Sequence, residues 1–291
     1  MAYSYARIER LHYHSYLTYY IFKRSKCFGD RFIVLLSEFL ESRLNVSNLK
    51  DLVRDVIYVS LVLHDIGKAY RGYQKVLYEY YGETRFSYHE LLSSLITYSH
   101  LRNYVTKKIR DMNVDSDTKR KLGDYLILSA TIAVLMHHEA LRNYIDVLTK
   151  LKHDMVKFLS RVVREGFIKE EVILIDKILE FLGIKGVRLG DVISELISKG
   201  FQRRYDSLRR SFLEYSRSPC VEYLVTNTTA AIQLCDRLAA SITRGSERGW
   251  SLRRLEREFM RYCLDIHGTS INECLVKLKS EAAHELRRIV S

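Results

Sequence analysis

The chain has 291 residues, a composition that is 47% hydrophobic and 28% charged, and a formal net charge of +12. That length allows roughly one or two domains with a substantial core. It excludes the depleted, highly charged signature of disorder, and the basic balance with a pI near 9.4 fits a polyanionic partner or a solvated basic surface. A single proline and 13 glycines leave few helix breakers, which favours an all-α fold. The five cysteines, at 27, 220, 235, 263 and 274, are scattered, odd in number and without a C-x-x-C pair, and read as reduced thiols. The first residues lack the layout of a signal peptide, and no apolar run reaches membrane-spanning length, so the expectation is a cytoplasmic chain with no membrane partner.

From the N-terminus, residues 31–44 place Phe32, Leu35, Leu36, Phe39 and Leu40 on one helical stripe, the signature of a core helix. Residues 48–65 repeat the pattern with Leu49, Leu52, Val53, Val56 and Ile57, and stop at Gly67 just after His64 and Asp65. Ser87-Tyr88-His89-Glu90 fits a capping box that opens a third helix, with Ser87 as N-cap. Residues 125–144 begin apolar on nearly every face, as a central buried helix does, and then carry His137 and His138. Residues 145–222 mix helical segments with a glycine-containing connector and read as an accessory insertion in a core that spans 1–245. The helix expected at 221–245 carries Asp236 and ends on Gly245, and 246–291 form a charge-rich helical tail.

His64 and Asp65 put one neutral nitrogen and one anionic oxygen into the same volume, a donor mix suited to borderline divalent metals. Alone, such a pair is more often a surface or capping pair. Each histidine alone is more often a satisfied core or cap residue. Two imidazoles that close an apolar helix need partners, and because successive helical residues point about 100° apart, His137 and His138 share a site only beside the helix end.

Together, L-H-D-I-G-K at 63–68, S-Y-H-E-L-L-S-S at 87–94, H-H-E at 137–139 and C-D-R-L-A-A-S at 235–241 resemble, in order, the motifs of HD-superfamily phosphohydrolases. Within these the chain looks most like the HD nuclease of type I CRISPR interference in its stand-alone, helicase-free form. The resemblance implies an HD-domain helical core in which His14, His64, Asp65 and Asp236 surround one metal. Asp65 then bridges to a second metal held by His89, His137 and His138. His12 competes with His14 for its place, and His14 is preferred because Y-H-S-Y-L resembles the leading His-Ser element. One or two divalent ions (Mn, Mg, Fe, Co, Ni or Zn) would supply Lewis-acid activation of water. Asp65 and Lys68 are the expected catalytic residues, with Lys68 three residues on as a point charge for a substrate phosphate.

The resemblance further implies DNA, chiefly single-stranded, as substrate, with a separate helicase and a CRISPR surveillance complex as partners; no P-loop is present to make the chain its own motor. Arg203, Arg204, Arg209, Arg210, Arg253 and Arg254 are the expected nucleic-acid contacts. Interleaved Phe201, Tyr205 and Phe212 would offer stacking faces, although an amphipathic helix with these rings in the core fits the same pattern and is preferred. The alternative enzyme class is an HD phosphohydrolase of nucleotides or cyclic nucleotides, and a non-catalytic reading is a nucleic-acid scaffold with a degenerate site.

Overall fold

The computed structural model describes residues 3–5, 9–79, 86–138, 153–215, 217–248, 254–264 and 271–291. The described residues form thirteen α-helices, one 3₁₀ turn and a two-stranded antiparallel ribbon, β1 (Tyr3–Tyr5) with β2 (Glu9–Arg10). The fold is all-α, as the scarcity of proline and glycine implies.

The first helices are α1 (Leu11–Arg24), α2 (Gly29–Leu44) and α3 (Lys50–Leu63), followed by the 3₁₀ turn Ile66–Ala69 and α4 (Arg71–Glu79). Next come α5 (His89–Arg110) and α6 (Ser116–Met136), then α7 (His153–Glu165), α8 (Lys169–Phe181), α9 (Leu189–Lys199) and α10 (Phe201–Tyr215). The chain closes with α11 (Pro219–Arg248), α12 (Arg254–Cys263) and α13 (Ile271–Val290).

Helices α5 and α6 pack side by side, α11 lies along α6, and α1 and α3 complete the central layer. Every residue from Leu126 to Met136 is buried, as is every one from Val56 to Leu63 and from Leu91 to Leu101. Apart from Tyr58, Tyr98 and His100 these runs are apolar or small on all faces and need neighbours on all sides. Within 153–215, α9 and α10 pack on α5, α10 also on α6, and α8 against α1 and α3; their apolar residues belong to the same buried cluster as the central helices. Asp115 caps α6, accepting from the amides of Asp117 and Thr118 at 2.9 and 3.0 Å, two of the orphan donors of a helix start.

Four local expectations change. Leu35 is half exposed, and Ile33 takes its place beside Phe32, Leu36 and Leu40, because the buried stripe of α2 runs through 29, 32, 33, 36 and 40. The Ser87 capping box does not form. The chain enters α5 through Tyr88 in a left-handed conformation (φ 68°), without a side-chain cap, and the Ser87 carbonyl accepts from the Tyr73 hydroxyl instead. Gly245 does not stop α11, which runs on to Arg248; one helical glycine costs only about 1 kcal/mol, and Pro219 at the first helical position costs no intrahelical bond. Two of the cysteines read as reduced thiols, Cys27 and Cys263, are joined in a disulfide across 236 residues, while Cys220, Cys235 and Cys274 are free. The pair is adjacent only after α12 folds back, where the Lys26 amide donates to the Cys263 carbonyl at 2.7 Å. The thiol argument for a reducing compartment therefore falls. Among the described residues no helix is long and apolar enough to cross a membrane.

Candidate metal centre

Five separate segments deliver the histidines and aspartates. Helix α3 ends at His64, and the backbone leaves the helix at Asp65 into the 3₁₀ turn, closed by the Lys68 amide donating to the Asp65 carbonyl at 2.9 Å. That turn brings the Lys68 ammonium to Asp65 Oδ2 at 2.6 Å. Gly67 permits the turn to lie against α5. A Cβ there would meet the His89 carbonyl at 2.4 Å, and the Gly67 amide instead donates to Ser93 Oγ at 2.9 Å. Helix α5 begins at His89, α6 ends just before His137 and His138, α11 carries Asp236, and α1 carries His14.

All of these converge on Asp65. Its Oδ1 lies 3.3 Å from His89 Nε2, 3.4 Å from His137 Nε2 and 3.9 Å from His138 Nε2. Its Oδ2 lies 3.5 Å from His14 Nε2 and 3.6 Å from His64 Nε2. Asp236 Oδ1 is 2.8 Å from His14 Nε2 and 3.5 Å from His64 Nε2. Two ligand groups result, Asp65/His89/His137/His138 and His14/His64/Asp65/Asp236, in each of which the donor atoms lie within 4.8 Å of one another. Asp65 belongs to both, one oxygen facing each.

The tautomers are set from outside. His64, His89 and His137 each turn Nδ1 toward the carbonyl three residues earlier, Leu61, Phe86 and Val134, at 2.8, 2.6 and 2.6 Å. A ring that donates from Nδ1 presents a lone pair at Nε2. Those three Nε2 atoms and Asp65 Oδ1 are buried without any hydrogen-bond partner. Four orphaned polar atoms in one volume would cost several kcal/mol as a mere core; an imidazole- and carboxylate-rich donor set of this kind fits one or two divalent cations.

Electrostatics favour the ligand form at the two carboxylates, His64 and His138, whereas the neighbouring carboxylates favour the protonated form at His14 and His137. Burial pushes both carboxyls up, but at Asp65 the Lys68 ammonium and the surrounding histidines outweigh it, and at Asp236 the hydrogen bond from His14 and the nearby His64 ring do, so both stay well below the usual range. Burial drives His64 down, and burial with neighbouring His137 drives His138 down to about 2; both are neutral, as ligands must be. At His14 burial is outweighed by Glu9 and Asp236, which hold it up at about 10. At His137 burial is likewise outweighed, by Asp65. His138, at 36% side-chain exposure, is the one cluster histidine that reaches solvent, the others being buried.

His12 lies elsewhere, with its Nδ1 and its amide both on the Glu171 carboxylate of α8, at 2.8 and 2.6 Å, so the structure brings His14 and not His12 to Asp65. Glu9 was missed by sequence reasoning: its carboxylate accepts from His14 Nδ1 at 2.7 Å and from Thr243 at 2.5 Å, and orients the ring. Nothing marks a glutamate in A-R-I-E-R as such a partner.

The four described arginines of α10 fall outside the cluster. Arg203, Arg209 and Arg210 are exposed on α10, and Arg204 is half-buried with its guanidinium 3.1 Å from Glu195. Phe201, Tyr205 and Phe212 are buried, so the core reading of this amphipathic helix holds and they offer no stacking face. Arg253, and Glu139 of the H-H-E motif, lie outside the described residues, as does the side chain of Arg254. No protein-family model matches the chain, and neither a curated protein nor a solved structure does.

Proposed function

We propose that this chain is a metal-dependent phosphodiesterase of HD type that cuts DNA, chiefly single strands, and that it works in CRISPR interference beside a separate helicase and a surveillance complex. The observation that carries the hydrolase part is the set of buried, unpartnered His64, His89 and His137 Nε2 atoms around the two oxygens of Asp65. The polymer substrate is supported by the net charge of +12, and the DNA and CRISPR assignments by the motif resemblance.

Divalent cations held there would provide Lewis-acid activation of water and neutralise phosphate charge. His14, His64 and Asp236 would hold one ion, His89, His137 and His138 the other, and Asp65 would face both. Three backbone carbonyls and Glu9 keep the rings aimed inward. The burial of all but His138 excludes bulk water and strengthens each charge interaction. Lys68, buried with its ammonium at Asp65 Oδ2, would supply a fixed positive charge for a substrate phosphate. No protein nucleophile is required.

The test is cleavage of labelled single-stranded DNA, duplex DNA and cyclic dinucleotides with manganese, magnesium or EDTA, comparing wild type with Asp65→Ala. Metal-dependent DNA cutting that disappears in the variant is expected. Hydrolysis of the small nucleotide with DNA left intact would transfer the site to nucleotide metabolism.

A further inference from the structure

The second half of α5, the first half of α6, and α9 with α10 enclose a continuous groove that the metal chemistry does not use. Three cavities run into one another there, sharing Arg102, Arg110 and Arg210 among their walls. The most enclosed, between α9 and α10, has a volume of about 270 Å³. Arginines and lysines outnumber carboxylates ten to four along these walls. Arg102 is held in place by hydrogen bonds to Ser207 Oγ at 2.9 Å and to the Tyr98 hydroxyl. Arg110, Arg203 and Arg210 are exposed and make no ion pair among the described residues.

This groove is at the far end of the molecule's central helix pair. His89 opens α5, and Arg102 and Arg110 follow 13 and 21 residues later, about 20 and 31 Å along the axis at 1.5 Å per residue. His137 follows the end of α6, whose Arg120 lies 17 residues before it, about 25 Å away by the same measure. Arg102 and Arg110, eight residues apart on one side of α5, are separated by about 12 Å, room for separate phosphates. The walls carry cations but, apart from the Tyr98 edge, no aromatic ring. Such a surface tracks a phosphate backbone without reading bases.

We infer that this groove is an exosite for the sugar-phosphate backbone of nucleic acid, occupied by substrate several nucleotides away from the segment at the metal centre. It rests on the nucleic-acid reading of the substrate and adds to it a place and a polarity-independent mode of binding. An acidic protein would meet the same cations, but irregularly spaced carboxylates match regularly placed arginines less well than a repeating phosphate chain does.

The test measures binding of a fluorescent long oligothymidine in EDTA, where no cleavage intervenes. The full chain is compared with the triple variant Arg110→Glu/Arg203→Glu/Arg210→Glu and with a charge-matched control, Arg31→Glu/Arg43→Glu/Lys50→Glu, whose side chains are exposed on other helices. Expected for the groove variant are a Kd raised about tenfold or more and a logarithmic salt dependence shallower by about two, three phosphate contacts counting ~0.7 each. The control retains wild-type affinity. Equal loss in both variants, unchanged binding in the groove variant, or preference of the wild type for polyglutamate over DNA overturns the exosite. The cleavage assay fails separately: a chain that binds through the groove yet never cuts refutes the nuclease reading alone, and one that cuts with an unaltered groove variant refutes the exosite alone.

Discussion

Asp65 is the residue on which the candidate site turns, because each of its oxygens faces a different set of imidazoles. Asp65→Asn keeps the shape and removes the charge. We expect purified variant protein to lose bound transition metal in an elemental scan and activity to fall by about 100–1000-fold, the scale set by loss of a catalytic electrostatic element. Glu9 acts through His14 and not on substrate. Glu9→Gln should leave the fold intact and weaken metal affinity by about 10–100-fold, read by competition with a fluorescent chelator; wild-type affinity would refute the role. His12, by contrast, is bound to Glu171, so His12→Ala should lower Tm without changing metal content. His100, buried in the middle of α5, is pushed by burial down to about 4. The unfolded chain protonates this imidazole near its ordinary 6.5 and the folded chain does not, so stability is complete above that value and is lost as pH falls from 6.5 toward 4. The loss is on the order of 3 kcal/mol. A His100→Leu variant should flatten that stretch of the denaturation midpoint curve.

At the scale of elements, α6 is the beam to which α5, α11 and α3 attach, and its last three turns are buried all round. Ile132→Ala there should cost about 2–5 kcal/mol by leaving a cavity between close-packed helices, measured by urea denaturation. The same beam carries His137 at its end, so a cavity near the middle should also loosen the metal-binding geometry. The Cys27–Cys263 disulfide fastens α12 to the turn between α1 and α2. Cross-links across long loops typically contribute about 2–4 kcal/mol, largely by restricting the unfolded chain. Cys27→Ser, or a reducing agent, should lower Tm accordingly while DNA binding persists; an unchanged Tm would show that the bond adds nothing to the folded state.

For the whole molecule, any cation held by the candidate centre would be linked to the fold. The candidate centre draws its donors from α1, the α3 end, α5, the α6 end and α11, elements that meet only in the folded state. A cation that binds only the folded chain stabilises it by about 2.7 kcal/mol at a hundred times its Kd. Manganese should therefore raise the Tm of wild type and leave Asp65→Asn unmoved, and a chelator should reverse the rise. The basic groove stands at the opposite end of the α5–α6 pair from the cluster, so salt should weaken DNA binding without displacing metal.

How much of this was legible beforehand follows from the range of the interactions involved. Helices α2, α3, α5, α6 and α11 are written locally, because a 3.6-residue apolar period and the shortage of proline act within each segment. His64, Asp65, His89, His137 and Asp236 could be selected because histidines and aspartates that end or interrupt apolar helices need partners, and because their order resembles a known motif set. Long-range juxtapositions left no local trace. The disulfide between residues 27 and 263, the pairing of His12 with Glu171, the service of Glu9 to His14, and the meeting of Arg102 and Arg110 with Arg203 and Arg210 each join groups far apart in the chain or otherwise unremarkable in it. By itself the sequence determined an all-helical chain and which residue types had chemistry to offer. Only tertiary packing decided which of them share a volume, since partner choice depends on burial and distance that a one-dimensional pattern does not contain.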